Sequence, residues 1–152
     1  MVSKIIETHR RMRAREETLF LAVYVMDAFL SKCTLNRHSL HQFLLSVLFI
    51  AAKYEETTYV RFSKILDAYN YQYKMDLGRV VDMEAVVLDQ LNFRLNTVCP
   101  YDFLKRIFLI HKCENKDLSQ LISGLQFLHF GGAAFLRHVP FLEELRKGVG
   151  CF

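Results

Sequence analysis

Charged residues in apolar surroundings are the positions at which this sequence could do chemistry. Lys53 ends an apolar run, Glu84 lies among valines, and Asp27 stands between Met26 and Ala28. A lysine supplies hydrogen-bond donors, and a carboxylate supplies acceptors. Lys53 and Glu84 are therefore candidates for binding another protein through charged hydrogen bonds.

Each of these charges also has a plain structural interpretation. A lysine near the C-terminus of a helix interacts favourably with the helix dipole, so Lys53 also fits a solvated cap. Glu84 also fits a lone charge that reaches solvent. For Asp27 we predict a structural role, a tie between helices, because an unpaired buried carboxylate is costly.

No catalytic or metal site is predicted. His38 and His41 have a spacing that two metal ligands on one helix can have, but no third ligand is near and H-E-x-x-H is absent. The sequence lacks a G-x-S-x-G motif, a glycine-rich phosphate loop and a cysteine–histidine signature. We therefore predict a protein without catalytic residues, metal or cofactor.

The cysteines and the apolar runs indicate the compartment. Four cysteines, spread along the chain without a C-x-x-C pair, predict free thiols in a reducing environment: Cys33, Cys99, Cys113 and Cys151. No secretory signal is visible at the N-terminus. The longest apolar run, residues 43–52, is half of the roughly 20 residues that a membrane span needs. We expect a soluble, intracellular protein that does not bind membranes.

A basic run at residues 9–15 admits two interpretations. It contains Arg10, Arg11, Arg13 and Arg15, and it could contact phosphates or act as an import signal. It also fits a charged helix end followed by a solvated turn. The formal net charge of +4 is too small to argue for nucleic acid by itself.

Helices must position these side chains. Only 2 prolines and 6 glycines occur, which favours helices with short connections. Apolar periodicity predicts seven helical blocks and no strand, so the fold class is all-α. The blocks are residues 1–12, 16–32, 36–54, 59–68, 75–91, 100–111 and 117–130, with a further short helix in the tail at residues 140–147.

The third block is predicted to be the centre of the fold. Residues 43–52 are apolar on every face of a helix, and such a helix is buried on every side. Ser46, Ala51 and Ala52 are small enough to let neighbouring helices approach. Asn36 is a plausible N-cap for this helix.

Four segments together resemble the cyclin family. They are ETLFLAV with DAFLS at residues 17–23 and 27–31, FIAAKYEE at 49–56, MEAVVL with LNF at 83–88 and 91–93, and PYDFL at 100–104. Their order and spacing agree with those of a mitotic, B-type-like cyclin from about residue 1 to residue 109. The resemblance implies a five-helix cyclin box around a buried third helix.

The resemblance also implies roles for individual residues. Residues that match Lys53 and Glu84 grip a cyclin-dependent protein kinase near its regulatory helix. Four further residues are implied to widen that contact: Tyr54, Glu56, Leu88 and Phe93. The aspartate that matches Asp27 usually stabilises the first two helices through an arginine of the first helix.

The sequence departs from the family pattern in three places. The upstream arginine partner of Asp27 is absent from this sequence, so we expect Asp27 to pair with another cation or to be partly exposed. Lys4 stands where the family's substrate-docking patch has a tryptophan, and Ala28 replaces the usual arginine. We assign residues 1–95 to the cyclin box and residues 96–152 to the start of a truncated second box. A fragment and a reduced cyclin both fit this pattern.

We therefore interpret the chain as a regulatory cyclin that binds and activates a cyclin-dependent kinase in cell-cycle control, in the nucleus or cytoplasm. One rival is a cyclin-fold transcription factor that binds DNA or the transcription machinery. It rests on the basic run of residues 10–15, and Glu55 and Glu56 beside Lys53 argue against it. A second rival, a small helical enzyme, lacks a nucleophile or metal motif.

Overall fold

The structure, a computed structural model, describes residues 1–69, 75–96, 101–103 and 105–106. Within these residues the chain is helical and contains no strand, and the predicted all-α class is confirmed. The helices are α1 (Val2–Met12), α2 (Glu16–Leu30), α3 (Leu40–Glu55), α4 (Phe62–Tyr69) and α5 (Leu77–Gln90), with a short 3-10 turn at Arg37–Ser39 between α2 and α3.

The helix ends differ from the predicted ones by a few residues. Asn36 is an N-cap as predicted, since its side chain accepts a hydrogen bond from the His38 backbone N–H at 3.2 Å. It caps the 3-10 turn, however, and α3 begins only at Leu40. Helix α4 begins at Phe62 rather than at residue 59, because the β-branched Val60 and the two threonines before it disfavour a helical turn.

Helix α3 forms the core, as its sequence predicts. Every residue from 43 to 52 is buried, and Val47 and Leu48 are completely inaccessible to solvent. The helix packs against α2, α4 and α5. Burial on all sides accounts for the absence of polar side chains in this run apart from Ser46.

Aromatic pairs join the central helix to its neighbours. The rings of Phe29 on α2 and Phe43 on α3 lie 4.9 Å apart between centroids. Phe49 on α3 and Phe62 on α4 meet edge to face at 5.7 Å. Such pairs add about 0.5–1.5 kcal/mol beyond the area they bury, so they help to fix α2 and α4 against α3.

The chain divides into two compact units, Met1–Cys99 and Pro100–Phe152. The described residues of the second unit, 101–103 and 105–106, are helical, in agreement with the helix predicted from Pro100. The predicted helices at 117–130 and 140–147 lie outside the described residues, so a second cyclin box stays a prediction. No helix in the described ranges combines the length and apolarity needed to cross a membrane.

Candidate functional site

Helices α3 and α5 are held side by side by hydrogen bonds from α3 side chains to the α5 backbone. The Gln42 side-chain N–H donates to the Arg79 carbonyl. Ser46 Oγ lies 2.8 Å from the Val80 carbonyl oxygen and 2.9 Å from that of Gln42. Ser46 is fully buried, so this hydroxyl fixes the distance between the two helices deep in the core.

Lys53 and Glu84 meet two turns after Ser46 on α3 and one turn after Val80 on α5. Lys53 Nζ donates a hydrogen bond to Glu84 Oε1 and forms an ion pair with it. The same ammonium lies 4.4 Å from the centroid of the Phe49 ring, one turn back on α3. We call Lys53 and Glu84 the α3–α5 pair.

The two members of the α3–α5 pair differ in exposure. The Lys53 side chain is 39% exposed, whereas that of Glu84 is only 10% exposed. Glu84 therefore does not simply reach into solvent, and Lys53 is more than a solvated cap. A largely buried carboxylate is stabilised by the cation beside it.

The α3–α5 pair keeps unused hydrogen-bonding capacity. An ammonium has three donors and an ionised carboxylate has two acceptor oxygens. Glu84 Oε2 accepts no hydrogen bond from any described residue, and Lys53 donates to no described oxygen other than Glu84 Oε1. The pair can therefore donate to carbonyl groups and accept from N–H groups of a second molecule.

Three apolar or aromatic residues lie on the helices that carry the α3–α5 pair or just after them. Leu88, half-buried, lies one turn after Glu84 and hence on the same face of α5. Phe93 follows the end of α5 and is 70% exposed, and Tyr54, which follows Lys53, is 52% exposed. Aromatic residues are enriched at protein–protein interfaces, so these exposed rings are suited to contact a partner.

The backbone at the end of α5 determines where Phe93 lies. The Phe93 N–H donates to the Leu88 carbonyl at 2.9 Å, and the Asn92 N–H donates to the Asp89 carbonyl at 2.9 Å. These two bonds form a Schellman motif. Both Asn92 and Phe93 have positive φ, at 50° and 56°. Asparagine tolerates this conformation, whereas a bulky residue there is an outlier that the surrounding bonds must hold.

Glu56 belongs to a different part of the structure. Its Oε1 accepts hydrogen bonds from the Arg15 backbone N–H at 2.8 Å and from Thr18 Oγ1 at 2.6 Å. These contacts run to the first turn of α2, where a carboxylate also favours the positive end of the helix dipole. A contact of Glu56 with a kinase stays a prediction, and its observed contacts are internal.

Arg15 completes this second cluster, which sequence reasoning missed. Its guanidinium donates to the Glu55 carbonyl and to Glu17 Oε1, both at 2.9 Å, and its own carbonyl accepts from buried His9 Nε2 at 2.9 Å. We call His9, Arg15, Thr18 and Glu56 the α1–α2 junction. The only sequence signal for it is the opposite charge of two residues at helix ends.

The tie between helices predicted at Asp27 is not found. Asp27 is exposed and makes no ion pair within the described part of the chain. It lies on the outward stripe of α2 with Tyr24 and Ser31, at the helical spacing of three and four, although its sequence neighbours are apolar. Of the two outcomes expected without an upstream arginine, an exposed carboxylate is the one observed.

The basic run is not a continuous row of free cations. Arg11 pairs with Glu7 at 2.7 Å, and Arg15 is held in the α1–α2 junction. Arg10 and Arg13 are exposed. Two of the four arginines are therefore already engaged, which reduces the run's capacity to follow a nucleic-acid backbone.

Lys4 and His41, both singled out in the sequence, interact with the same tyrosine. Lys4 Nζ lies 5.2 Å from the Tyr69 ring centroid and 3.1 Å from Glu7 Oε2. His41 Nδ1 lies 2.8 Å from the Tyr69 hydroxyl. Within the described residues no group of three or more potential ligands could hold a metal ion. Cys33 is a free thiol, and the other cysteines lie outside the described residues.

Comparisons with known proteins agree with the fold. Residues 1–96 match the family model of the cyclin N-terminal domain. The chain is 39% identical over 132 residues to the G2/mitotic-specific cyclin CLB2 of Candida albicans, covering 84% of this chain and 25% of the relative. It is 31% identical over 123 residues to cyclin-B2-1 of Oryza sativa subsp. japonica, covering 81% and 28%.

A solved structure shares the fold. The viral cyclin from herpesvirus saimiri superposes with a TM-score of 0.63 at 18% identity, over 83% of this chain and 57% of that chain. The chain spans less than a third of the length of the curated relatives cited above. Since the family model matches well over half of its residues, this chain belongs to the cyclin family, and B-type cyclins are among its relatives.

Proposed function

We propose that this chain binds a cyclin-dependent protein kinase and activates it. The observation that carries the proposal is the α3–α5 pair, in which a half-exposed lysine and a largely buried glutamate keep free donors and an acceptor. Exposed Tyr54, which follows Lys53 in the sequence, and exposed Phe93, after the end of α5, would supply apolar area. We place this action in the nucleus or cytoplasm.

The pair would bind both the hydrogen-bond donors and the hydrogen-bond acceptors of the kinase backbone. Lys53 donates to kinase carbonyl groups, and Glu84 accepts from kinase N–H groups. Each charged hydrogen bond contributes about 1.5–3 kcal/mol. Because Lys53 and Glu84 also bind each other, each holds the other in position before the kinase arrives, which lowers the entropy lost on binding.

Activation would follow from selective binding. A protein kinase is active only when its own lysine–glutamate pair is assembled by an inward position of its regulatory helix. A cyclin that binds this inward state more tightly than the outward state shifts the population toward it. The chain contributes binding energy to this equilibrium, and the catalytic groups belong to the kinase.

The experiment measures the affinity of this chain for a purified cyclin-dependent kinase, together with its thermal unfolding. The double variant Lys53→Ala, Glu84→Ala removes both charges, so that no unpaired buried carboxylate remains. We expect binding to weaken by about tenfold for each 1.4 kcal/mol lost, with the fold retained.

A matched control deletes the same two charges elsewhere. Lys4 and Glu7 form a partly exposed ion pair on α1 with a spacing of three residues, so Lys4→Ala, Glu7→Ala should leave kinase affinity unchanged. Equal affinity of the folded Lys53→Ala, Glu84→Ala variant and the unaltered chain would contradict the proposal.

A further inference from the structure

A cleft lies between α1 and the start of α4, apart from the residues of the α3–α5 pair. Its volume is about 580 Å³, a size typical of small-ligand sites. Its lining residues come from the end of α1, the segment before α4 and α4 itself: Arg11, Tyr59, Arg61, Ser63, Lys64, Asp67 and Ala68. Three of these are basic and one is acidic.

Two of the basic residues are unpaired. Arg61 and Lys64 are exposed and form no ion pair within residues 1–69 and the other described segments, and this includes Asp67 on the same helix. Arg11 is engaged by Glu7 on its own helix at 2.7 Å. The cleft therefore presents two free cations and a third that is shared.

The placement of these cations does not favour helix stability. Arg61 precedes α4 and Lys64 lies in its first turn, which contains no acidic residue. The N-terminus of a helix carries partial positive charge, so cations there are unfavourable. A bound anion would reverse the sign of this interaction.

We propose that the α1–α4 cleft binds a phosphorylated serine or threonine side chain of a partner protein. A phosphate monoester carries close to two negative charges at neutral pH and three acceptor oxygens. Arg61 supplies a guanidinium fork that matches phosphate geometry, and Lys64 supplies a point charge. The Ser63 hydroxyl is a further donor within the same lining.

The lining favours a peptide over a nucleic acid. The Asp67 carboxylate would repel a continuous row of phosphates but can stand beside a single one, or accept from a peptide N–H. Tyr59 is 80% exposed and offers a ring against which a side chain next to the phosphorylated residue can pack. One compact cleft matches one dianion with its flanking residues.

This site is separate from the kinase-binding site proposed above, because the two share no residue. It would let the same chain hold a phosphorylated partner while the α3–α5 pair holds a kinase. Loss of phosphopeptide binding and loss of kinase binding are therefore distinguishable by variants at each site.

The test uses fluorescence anisotropy with the whole 152-residue chain and a labelled phosphothreonine peptide with alanine and glycine flanks. We expect the affinity of the chain for this peptide to be at least about tenfold higher than its affinity for the unphosphorylated form. Arg61→Ala, Lys64→Ala should remove the difference, and rising salt should weaken binding. In the unaltered chain, the backbone amide NMR signals of Ser63 and Lys64 should shift on titration.

A matched control removes two equally exposed cations elsewhere. Arg37 and Arg79 are exposed and form no ion pair in the described residues, so Arg37→Ala, Arg79→Ala should keep the preference for the phosphorylated peptide. Equal losses in the two double variants would mean non-specific attraction and would overturn the proposal.

Two further arms distinguish other ligands. A labelled oligothymidylate that binds as tightly as the phosphopeptide, through Arg61 and Lys64, would assign the cleft to nucleic acid instead. If inorganic phosphate displaces the peptide and binds the cleft as tightly as the peptide does, the cleft binds an adventitious ion only. Either result overturns the proposal, as does the absence of any preference for the phosphorylated peptide.

Discussion

The α3–α5 pair and the α1–α2 junction lie at the same end of α3. They differ in how many hydrogen bonds their charged groups make inside the molecule. In the pair, Lys53 and Glu84 share one hydrogen bond and keep free capacity. In the junction, Glu56 Oε1 accepts two internal hydrogen bonds and Arg15 donates three. Lys53 and Glu56 are only three positions apart in the sequence.

Unused hydrogen-bonding capacity separates residues that are available to a partner from residues that stabilise the fold, even within a single motif. A charge whose hydrogen bonds are made inside the molecule has little left for a partner, whereas a charge with free donors or acceptors is available to one. By this criterion FIAAKYEE serves two purposes. Lys53 and Tyr54 are exposed and available to a partner, whereas Glu56 joins helices.

The largest effect on stability is expected at the junction. Glu56→Ala removes a carboxylate that accepts from Arg15 and Thr18, and it leaves both donors without this partner. Hydrogen bonds to charged groups contribute about 1.5–3 kcal/mol each, so we expect a loss of about 2–4 kcal/mol in the free energy of unfolding. Chemical denaturation measures it.

Asp27→Ala is the control for this variant, because it removes an exposed carboxylate that has no ion pair in the described residues. Its effect should stay within about 0.5 kcal/mol. Similar unfolding free energies for the Glu56→Ala and Asp27→Ala variants would erase the distinction between junction and surface.

The next largest effect concerns the α3–α5 pair. Lys53→Met alone leaves the largely buried Glu84 without its cation, which should cost about 1–3 kcal/mol of stability. The double variant Lys53→Met, Glu84→Leu should recover much of this loss, while kinase binding stays impaired in both. Denaturation curves and kinase affinities, measured on the same preparations, separate stability from recognition.

The α1–α2 junction should show no such recovery. If the double variant is less stable than the single one, the pair is structural in the same sense as the junction, and the proposed division between the two regions fails.

A smaller effect is expected where α3 meets α5 behind the pair. Ser46→Ala removes the hydroxyl that lies 2.8 Å from the Val80 carbonyl, and it should cost about 1 kcal/mol. Kinase affinity should fall slightly as well, because Ser46 sets the spacing of the helices that carry Lys53 and Glu84. Unchanged affinity at reduced stability would show that the pair tolerates a looser contact.

The smallest effect is expected at the exposed surface of α1, which sets the baseline for both regions. The hydrogen bond from Lys4, with the nearby charges of Lys4 and Arg11, lowers the pKa of Glu7. A lowered pKa stabilises the fold above the unfolded-state value of about 4.3, and this contribution disappears as the pH falls through the lower folded-state pKa. Glu7→Gln should therefore be slightly destabilising at neutral pH and indistinguishable in strongly acidic solution, as thermal unfolding at several pH values would show.

The sequence predicted the fold where local pattern and burial coincide. The apolar run at residues 43–52 identified the central helix, because a helix that is apolar on every face must be buried on every side. Lys53 and Glu84 were identified as candidates by the resemblance and by their positions at the edges of apolar helices. The hydrogen bond between Lys53 and Glu84 depends on how far each side chain reaches between two packed helices, and sequence spacing alone cannot predict that distance.

The sequence could not predict the α1–α2 junction or the exposure of Asp27. Arg15 and Glu56 are 41 positions apart, and both lie at helix ends, where a small change in the end of a helix redirects a side chain. Asp27 was assigned by its sequence neighbours Met26 and Ala28. In a helix the spatial neighbours are three and four positions away, and there Tyr24 and Ser31 form an outward stripe.

Position 93 is subject to two opposing requirements, one from its left-handed backbone conformation and one from the proposed interface. The conformation favours glycine or asparagine, whereas the proposed interface needs the ring that Phe93 exposes. A library randomised at this position and selected only for heat resistance should drift toward glycine or asparagine. The same library selected for kinase capture should keep an aromatic residue. The divergence of the two populations would measure how much stability the exposed Phe93 ring costs relative to its contribution to the proposed kinase binding.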